Sequence, residues 1–251
     1  MKILRNILKS IIISAITIAL LFTVLTQIPY TVNTYKFTKN NQEIIFQEMV
    51  HFGDRVYYSS VNFDIHYYKN KDYVYMYEMI NVESEEDKEE MISLLGLQPE
   101  TFANIANATK LDSQHNHMYQ VTDKDVNADI TSSQLISNFK ESNIEKNEFI
   151  IKSNDYINSV FSKMTDSNFG MILSKNIMKL GLFINSAFNI NKELSNVIID
   201  QRNDVLIENI KEHSENNIYV QYGQMHYKDF SEKMINLGYK VEKINNRTVF
   251  K

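Results

Sequence analysis

Three short β-prone runs end on residues that can hold a proton or a metal ion, and this pattern limits the possible folds more than any other feature. Residues 44–50 lead to His51, residues 73–77 to Glu78, and residues 218–222 to Gly223-Gln224-Met225-His226. Apolar runs of this length and composition read as strands. In α/β proteins, ligands and catalytic groups collect in the crevice beyond the carboxyl ends of the strands. Two histidines and a glutamate at three strand ends therefore define a candidate site.

The segments between these runs read mostly as helices. Asp54 is a candidate N-cap for a helical pattern over 55–68, and residues 69–72 form a turn before the strand over 73–79. Strand, helix and strand in that order predict a right-handed crossover between parallel strands. Further helical spacing covers 84–95, 100–107, 131–141, 153–165, 168–181, 191–213 and 227–237. The acids over 83–90 read as a solvated helix face near the positive helix end. A brief strand is expected over 118–121, and a closing hairpin over 241–250 about Asn245-Asn246. The fold class expected is α/β (α+β-like): a central mixed sheet with surrounding helices, preceded by one N-terminal transmembrane helix.

That transmembrane expectation comes from residues 11–28, which contain no charged side chain and follow Lys2, Arg5 and Lys9. Roughly 18–20 apolar residues span a bilayer. A cleaved secretory signal is the alternative, but its apolar region is shorter and small residues mark its cleavage site. The early cations place the N-terminus in the cytoplasm and the rest of the chain outside it. The organisation expected is an anchor over 1–30, a polar tether over 31–42 and an ectodomain over 43–251. The chain carries 26 basic and 31 acidic side chains, a formal charge of −5. No acid precedes Glu43, so removing the three early cations leaves −8. An acidic domain of this kind argues against nucleic acid as a partner, since phosphate binding relies on Lys and Arg. With no cysteine, thiolate metal sites and cysteine nucleophiles are excluded.

The nucleophile elbow, phosphate loop, dinucleotide fingerprint and His-Glu-x-x-His zinc helix are all missing. What remains is the His/Glu set. His51 and His226 can offer imidazole nitrogens to a metal ion, and Glu78 or Glu48 can add an oxygen ligand or act as base toward a metal-bound water. The competing reading is that each histidine is a strand-end residue with a satisfied hydrogen bond. Arg202, beside Asn203 on a helix, has a planar fork suited to a carboxylate or an anionic transition state; a surface ion pair is its alternative. Asp129 precedes a helix and reads as an N-cap or a binding carboxylate. His115 and His117 read as loop residues, His213 as a helix C-terminal cation, and His66 as structural.

Glu48-Met49-Val50-His51, Glu78, Arg202-Asn203 and Gly223-Gln224-Met225-His226, followed by Phe230 and Leu237-Gly238-Tyr239, come in an order that resembles the TraB/GumN superfamily, which includes the TIKI proteases. In that family a first G-x-x-H ends a strand, a glutamate ends the next, an Arg-Asn pair lies on a helix, and a second G-x-x-H follows. Glu48 stands where the first glycine is expected, and Gln201 replaces an acid before Arg-Asn. The resemblance implies a membrane-tethered, metal-dependent hydrolase of peptides or similar amides. In that reading His51, Glu78 and His226 hold a divalent ion (zinc, manganese or cobalt). Glu48, Glu78 and Arg202 are catalytic, and Arg202, Asn203 and Asp129 bind a peptide or protein substrate. A non-catalytic binder that sequesters a secreted peptide or pheromone is the second expectation, and an envelope protein with incidental histidines the third.

Overall fold

The computed structural model describes residues 29–251 except 96–98, 143–147, 165–166 and 188–194, together with 9–10, 12–14, 16–17, 20, 23–24 and 26–28. Among them, β1 (Tyr30–Lys39), β2 (Gln42–Met49), β3 (Phe52–Gly53) and α1 (Arg55–Lys69) come first. β4 (Val74–Tyr77), α2 (Glu85–Leu95), α3 (Pro99–Thr109), β5 (Asp112–Ser113) and β6 (Val126–Asn127) follow. After α4 (Ser132–Glu141), α5 (Glu148–Ser162) and α6 (Asn168–Ala187) the chain enters α7 (Gln201–Glu212). It ends with β7 (Ile218–Gly223), α8 (Tyr227–Asn236) and β8 (Lys240–Phe250).

Six strands form one sheet in the order β6-β4-β7-β2-β1-β8. β6, β4, β7 and β2 run parallel, whereas β1 is antiparallel to both β2 and β8. The sheet is mixed, with helices around it. β2 and β4 do run parallel across the α1 crossover, but they are not neighbours. β7 lies between them, pairing Ile44 with Ile218 on one side and Val74 with Ile218 on the other.

Both faces of the central strands are buried, which fixes their register, because a one-residue slip would exchange the faces. On one face Ile45, Met49, Tyr75 and Tyr219 pack against Tyr57, Tyr58, Val61 and Ile65 of α1. Those α1 positions recur at helical spacing and form a single apolar stripe. On the other face Ile44, Phe46, Met76 and Val220 pack against Leu206, Ile207 and Ile210 of α7 and against Phe230 and Met234 of α8. This second layer holds the site, since α7 and α8 lie over the strand ends that carry it. α4 starts from a complete capping box, with Thr131 accepting from the Gln134 amide and the Gln134 side chain reaching back.

Several expectations are corrected. The segment read as a polar tether, 31–42, is β1 and its turn, with Val32, Thr34 and Phe37 buried. Residues 241–250 form one edge strand rather than a hairpin; Asn245 and Asn246 lie opposite Thr34 and Asn33, next to a bulge. Residues 118–121 are not a strand. The expected helix over 191–213 is described only from Ser195 onward, and it opens with a π turn, Asn196–Asp200.

The transmembrane expectation is also corrected: among the described residues no helix is long and apolar enough to cross a membrane. A span needs about 20 residues of helix. Residues 11, 15, 18–19, 21–22 and 25 of that expected span, and residues 1–8 before it, lie outside the described residues. Of those described, Ile13, Ile16 and Leu20 are exposed, and Thr17 and Thr26 donate back to the carbonyls of Ile13 and Thr23. Pro29 then leads directly into β1. The membrane partner and the single-pass topology lose their support with the span.

Candidate functional site

The parallel strands deliver their last residues to one end of the sheet. Glu78 follows β4, Asp129 follows β6, and His226 follows β7 through Gly223 and a single turn of 3-10 helix, Gln224–His226. The π turn before α7 adds width to the helix just ahead of Arg202; such turns recur at functional sites. Arg202 and Asn203 are buried on the first turn of α7.

Arg202 binds two carboxylates. Its Nε and Nη2 donate to Asp129 Oδ1 and Oδ2 at 2.8 and 2.7 Å, and Nη2 also donates to Glu78 Oε1 at 2.6 Å. Its Nη1 donates to the Ile198 carbonyl at 3.2 Å. The fork on Asp129 is the bidentate geometry that a guanidinium favours. Buried between two acids, Arg202 has its pKa raised: burial acts against the charge, but Glu78 and Asp129 outweigh it.

Glu78 is held as a carboxylate. Burial alone would raise its pKa, but the His226 imidazole, the Arg202 guanidinium and the Gly223 N–H hold it well below the usual range. That N–H donates to Oε2 at 2.5 Å. A Cβ on Gly223 would come within 3.0 Å of the same oxygen, so the motif glycine is where backbone and carboxylate meet closely.

His226 is buried and oriented from behind. Asn203 Nδ2 donates to the His226 carbonyl at 3.0 Å and to Asp229 Oδ2 at 2.8 Å, so its Oδ1 is the acceptor facing His226 Nδ1 at 2.9 Å. Nδ1 therefore carries a proton in either charge state. The proton that can come and go is at Nε2, which lies 3.4 Å from Glu78 Oε1. The Tyr222 ring stands edge-on to the imidazole at 4.8 Å, and its hydroxyl donates to the Ala128 carbonyl.

Five of the expected site residues thus meet: Glu78, Asp129, Arg202, Asn203 and His226. Asp129 spends its carboxylate on Arg202 and on the Ile130 N–H, and Thr131 rather than Asp129 caps the helix that follows. Glu48 and His51 do not join them through any described contact. Glu48 turns to the Asn33 N–H, which donates to Oε2 at 2.7 Å where the β1–β2 ladder ends. Burial raises the Glu48 carboxyl to about 7, partly opposed by Asn33 and Lys243. His51 is exposed beyond β2, with its ring edge-on to Phe102 at 6.0 Å. Its carbonyl accepts from Gln114 as the chain turns into β3.

The metal expectation is therefore corrected. Among the described residues no group of three or more His, Asp or Glu side chains could hold an ion. His51 shares no described contact with the other two expected ligands, and Glu78 is committed to Arg202 and Gly223. A zinc, manganese or cobalt cofactor does not fit this donor set, and metal-dependent hydrolysis at it is withdrawn. The second expectation, a binder of a secreted peptide or pheromone, loses the membrane anchor it was paired with. The crevice beside Glu78 admits a group about the size of one water.

Two contributors were not expected: Asp229, three residues after His226 in the first turn of α8, and the Gly223 amide. Spacing was the available signal for Asp229, because a short acid one helical turn past a strand-end histidine can reach the helix that carries Asn203. No protein family, curated protein or solved structure matches this chain. The expected resemblance to the TraB/GumN superfamily therefore gains no support.

Proposed function

We propose that the strand-end cluster is an acid–base centre in which His226 Nε2 and Glu78 exchange a proton with a small polar substrate. The observation that carries this reading is the fixed proton on Nδ1, which confines the reactivity of His226 to the nitrogen facing Glu78. Glu78 borders both His226 and the crevice, so a proton leaving Nε2 has a short path to a bound molecule. A positioned acid or base contributes about 10²–10⁴-fold to a rate. Arg202 keeps Glu78 ionised and in place, and Asp129 holds Arg202.

The test is turnover of a panel of activated esters, amides and enolisable carbonyl compounds by the purified chain and by His226→Gln. The expected result is turnover of at least one class that falls at least about 100-fold in the variant. Equal rates in the two proteins, or no turnover across the panel, would overturn the reading.

One observation favours a second reading. Arg202 spends Nε, Nη1 and Nη2 on internal acceptors, as a brace between α7 and the strand ends would. On that reading the cluster is structural. His226→Gln would then lower stability and change no rate.

A further inference from the structure

We propose that the crevice beside Glu78 is a subsite for the ammonium group of a small amine, a substrate class that rests on the acid–base reading above. Tyr75, Tyr77 and Tyr119 wall the crevice together with Glu78, Gln114 and Gln221. Tyr75 and Tyr77 stack at 5.6 Å, and Tyr119 stands edge-on to Tyr75 at 5.6 Å, so aromatic surface meets from two directions. Aromatic faces attract cations, and such cages recognise ammonium groups. Among the described residues lining the crevice there is no basic side chain.

These rings already attract a cation. Lys69 Nζ lies 5.1 Å from the Tyr119 ring centre and 5.9 Å from that of Tyr75. Its charge is met by Asp125, at 2.5 and 2.7 Å, so neither group is left to balance Glu78. The Tyr75 hydroxyl donates to Gln221 Oε1, which fixes the ring.

Charge balance and size point to the same ligand. Two carboxylates, Glu78 and Asp129, share one guanidinium, so one negative charge remains for a second cation. Protonated His226 can supply it. An ammonium group in the crevice would supply it instead and leave Nε2 with its lone pair free. Glu78 Oε1 takes Arg202 and faces His226, and Oε2 takes Gly223. A carboxylate offers about four acceptor positions, so one is left for the ligand. The crevice admits a group the size of water, which an ammonium head matches.

The test titrates the intact chain with ethylammonium and, separately, with ethanol, following tyrosine ring resonances by NMR. Ethylammonium should give saturable shifts at Tyr75, Tyr77 and Tyr119, and ethanol should give none. Glu78→Gln should weaken binding at least tenfold, and Tyr119→Leu, which leaves the carboxylate in place, several-fold. Shifts that do not saturate, that ethanol reproduces, or that both variants retain would overturn the subsite. The readout needs no turnover. Turnover of neutral esters with no ammonium binding would refute the subsite alone, and saturable binding without turnover would refute the acid–base reading alone.

Discussion

Asn203 Oδ1 accepts the proton of His226 Nδ1 at 2.9 Å, and this contact decides which imidazole nitrogen is chemically active. The amide can present only its oxygen there, because its nitrogen already donates to the His226 carbonyl and to Asp229. Asn203→Ala removes that orientation and leaves a buried imidazole donor unmet. The cost expected is about 1–3 kcal/mol of unfolding free energy, measured by urea denaturation, together with a mixture of His226 tautomers in ¹⁵N spectra. A single unchanged tautomer in the variant would mean that Asn203 is not the residue that sets it.

Arg202→Met tests the buried charge network. The Asp129 side chain is fully buried, and without Arg202 its carboxylate is stranded. Breaking one side of such a pair costs about 3–5 kcal/mol. Adding Asp129→Asn should restore part of that loss, because the uncompensated charge goes with it. If the double variant is no more stable than Arg202→Met alone, the stranded charge is not the cause.

Glu48 gives a pH dependence of definite sign. Its carboxyl titrates at about 7 in the folded chain, above its usual 4.5, so the fold disfavours the charged form. Between those values the folded state binds more protons than the unfolded one, and stability falls as pH rises through that window. The shift corresponds to at most about 3 kcal/mol. Glu48→Gln can still accept from Asn33 and carries no charge. It should gain stability over the wild type at pH 8 and little at pH 5, as read from urea midpoints at the two pH values. An equal effect at both would show that Glu48 is not the titrating group.

Gly223→Ala should alter the site before it alters the fold. The new methyl would stand 3.0 Å from Glu78 Oε2, while His226 Cδ2 lies at an ordinary 3.5 Å. Glu78 must shift and lose the short N–H contact. Any turnover found should drop at least about tenfold, with stability falling by about 1–3 kcal/mol, as for other overpacked positions. Circular dichroism and activity of the same preparation separate the two effects.

How much of this could be read in the chain depended on where each segment finds its partners. β2, β4 and β7 announce themselves as apolar runs because both of their faces are buried, and Glu78 and His226 were legible as the residues that follow. The place of β7 between β2 and β4 was hidden, since it enters the sheet some 140 residues after β4. β1 read as a tether because Thr31, Asn33, Thr34 and Lys36 dilute its apolar positions, and β8 read as a hairpin because an exposed edge strand tolerates the turn-like pair Asn245-Asn246. His51 was misplaced for a local reason. Two residues beyond β2 the chain bends into β3, and Val50 and Phe52 go inward on either side of an exposed His51.

The central claim, that the labile proton of His226 sits on Nε2 facing Glu78, can be measured without knowing a substrate. Long-range ¹H–¹⁵N spectra of the intact chain across a pH series report which nitrogen of His226 is protonated. The expected result is a single neutral form protonated at Nδ1, with Nε2 alone gaining and losing a proton. A neutral form protonated at Nε2, or a mixture of the two tautomers, would contradict it.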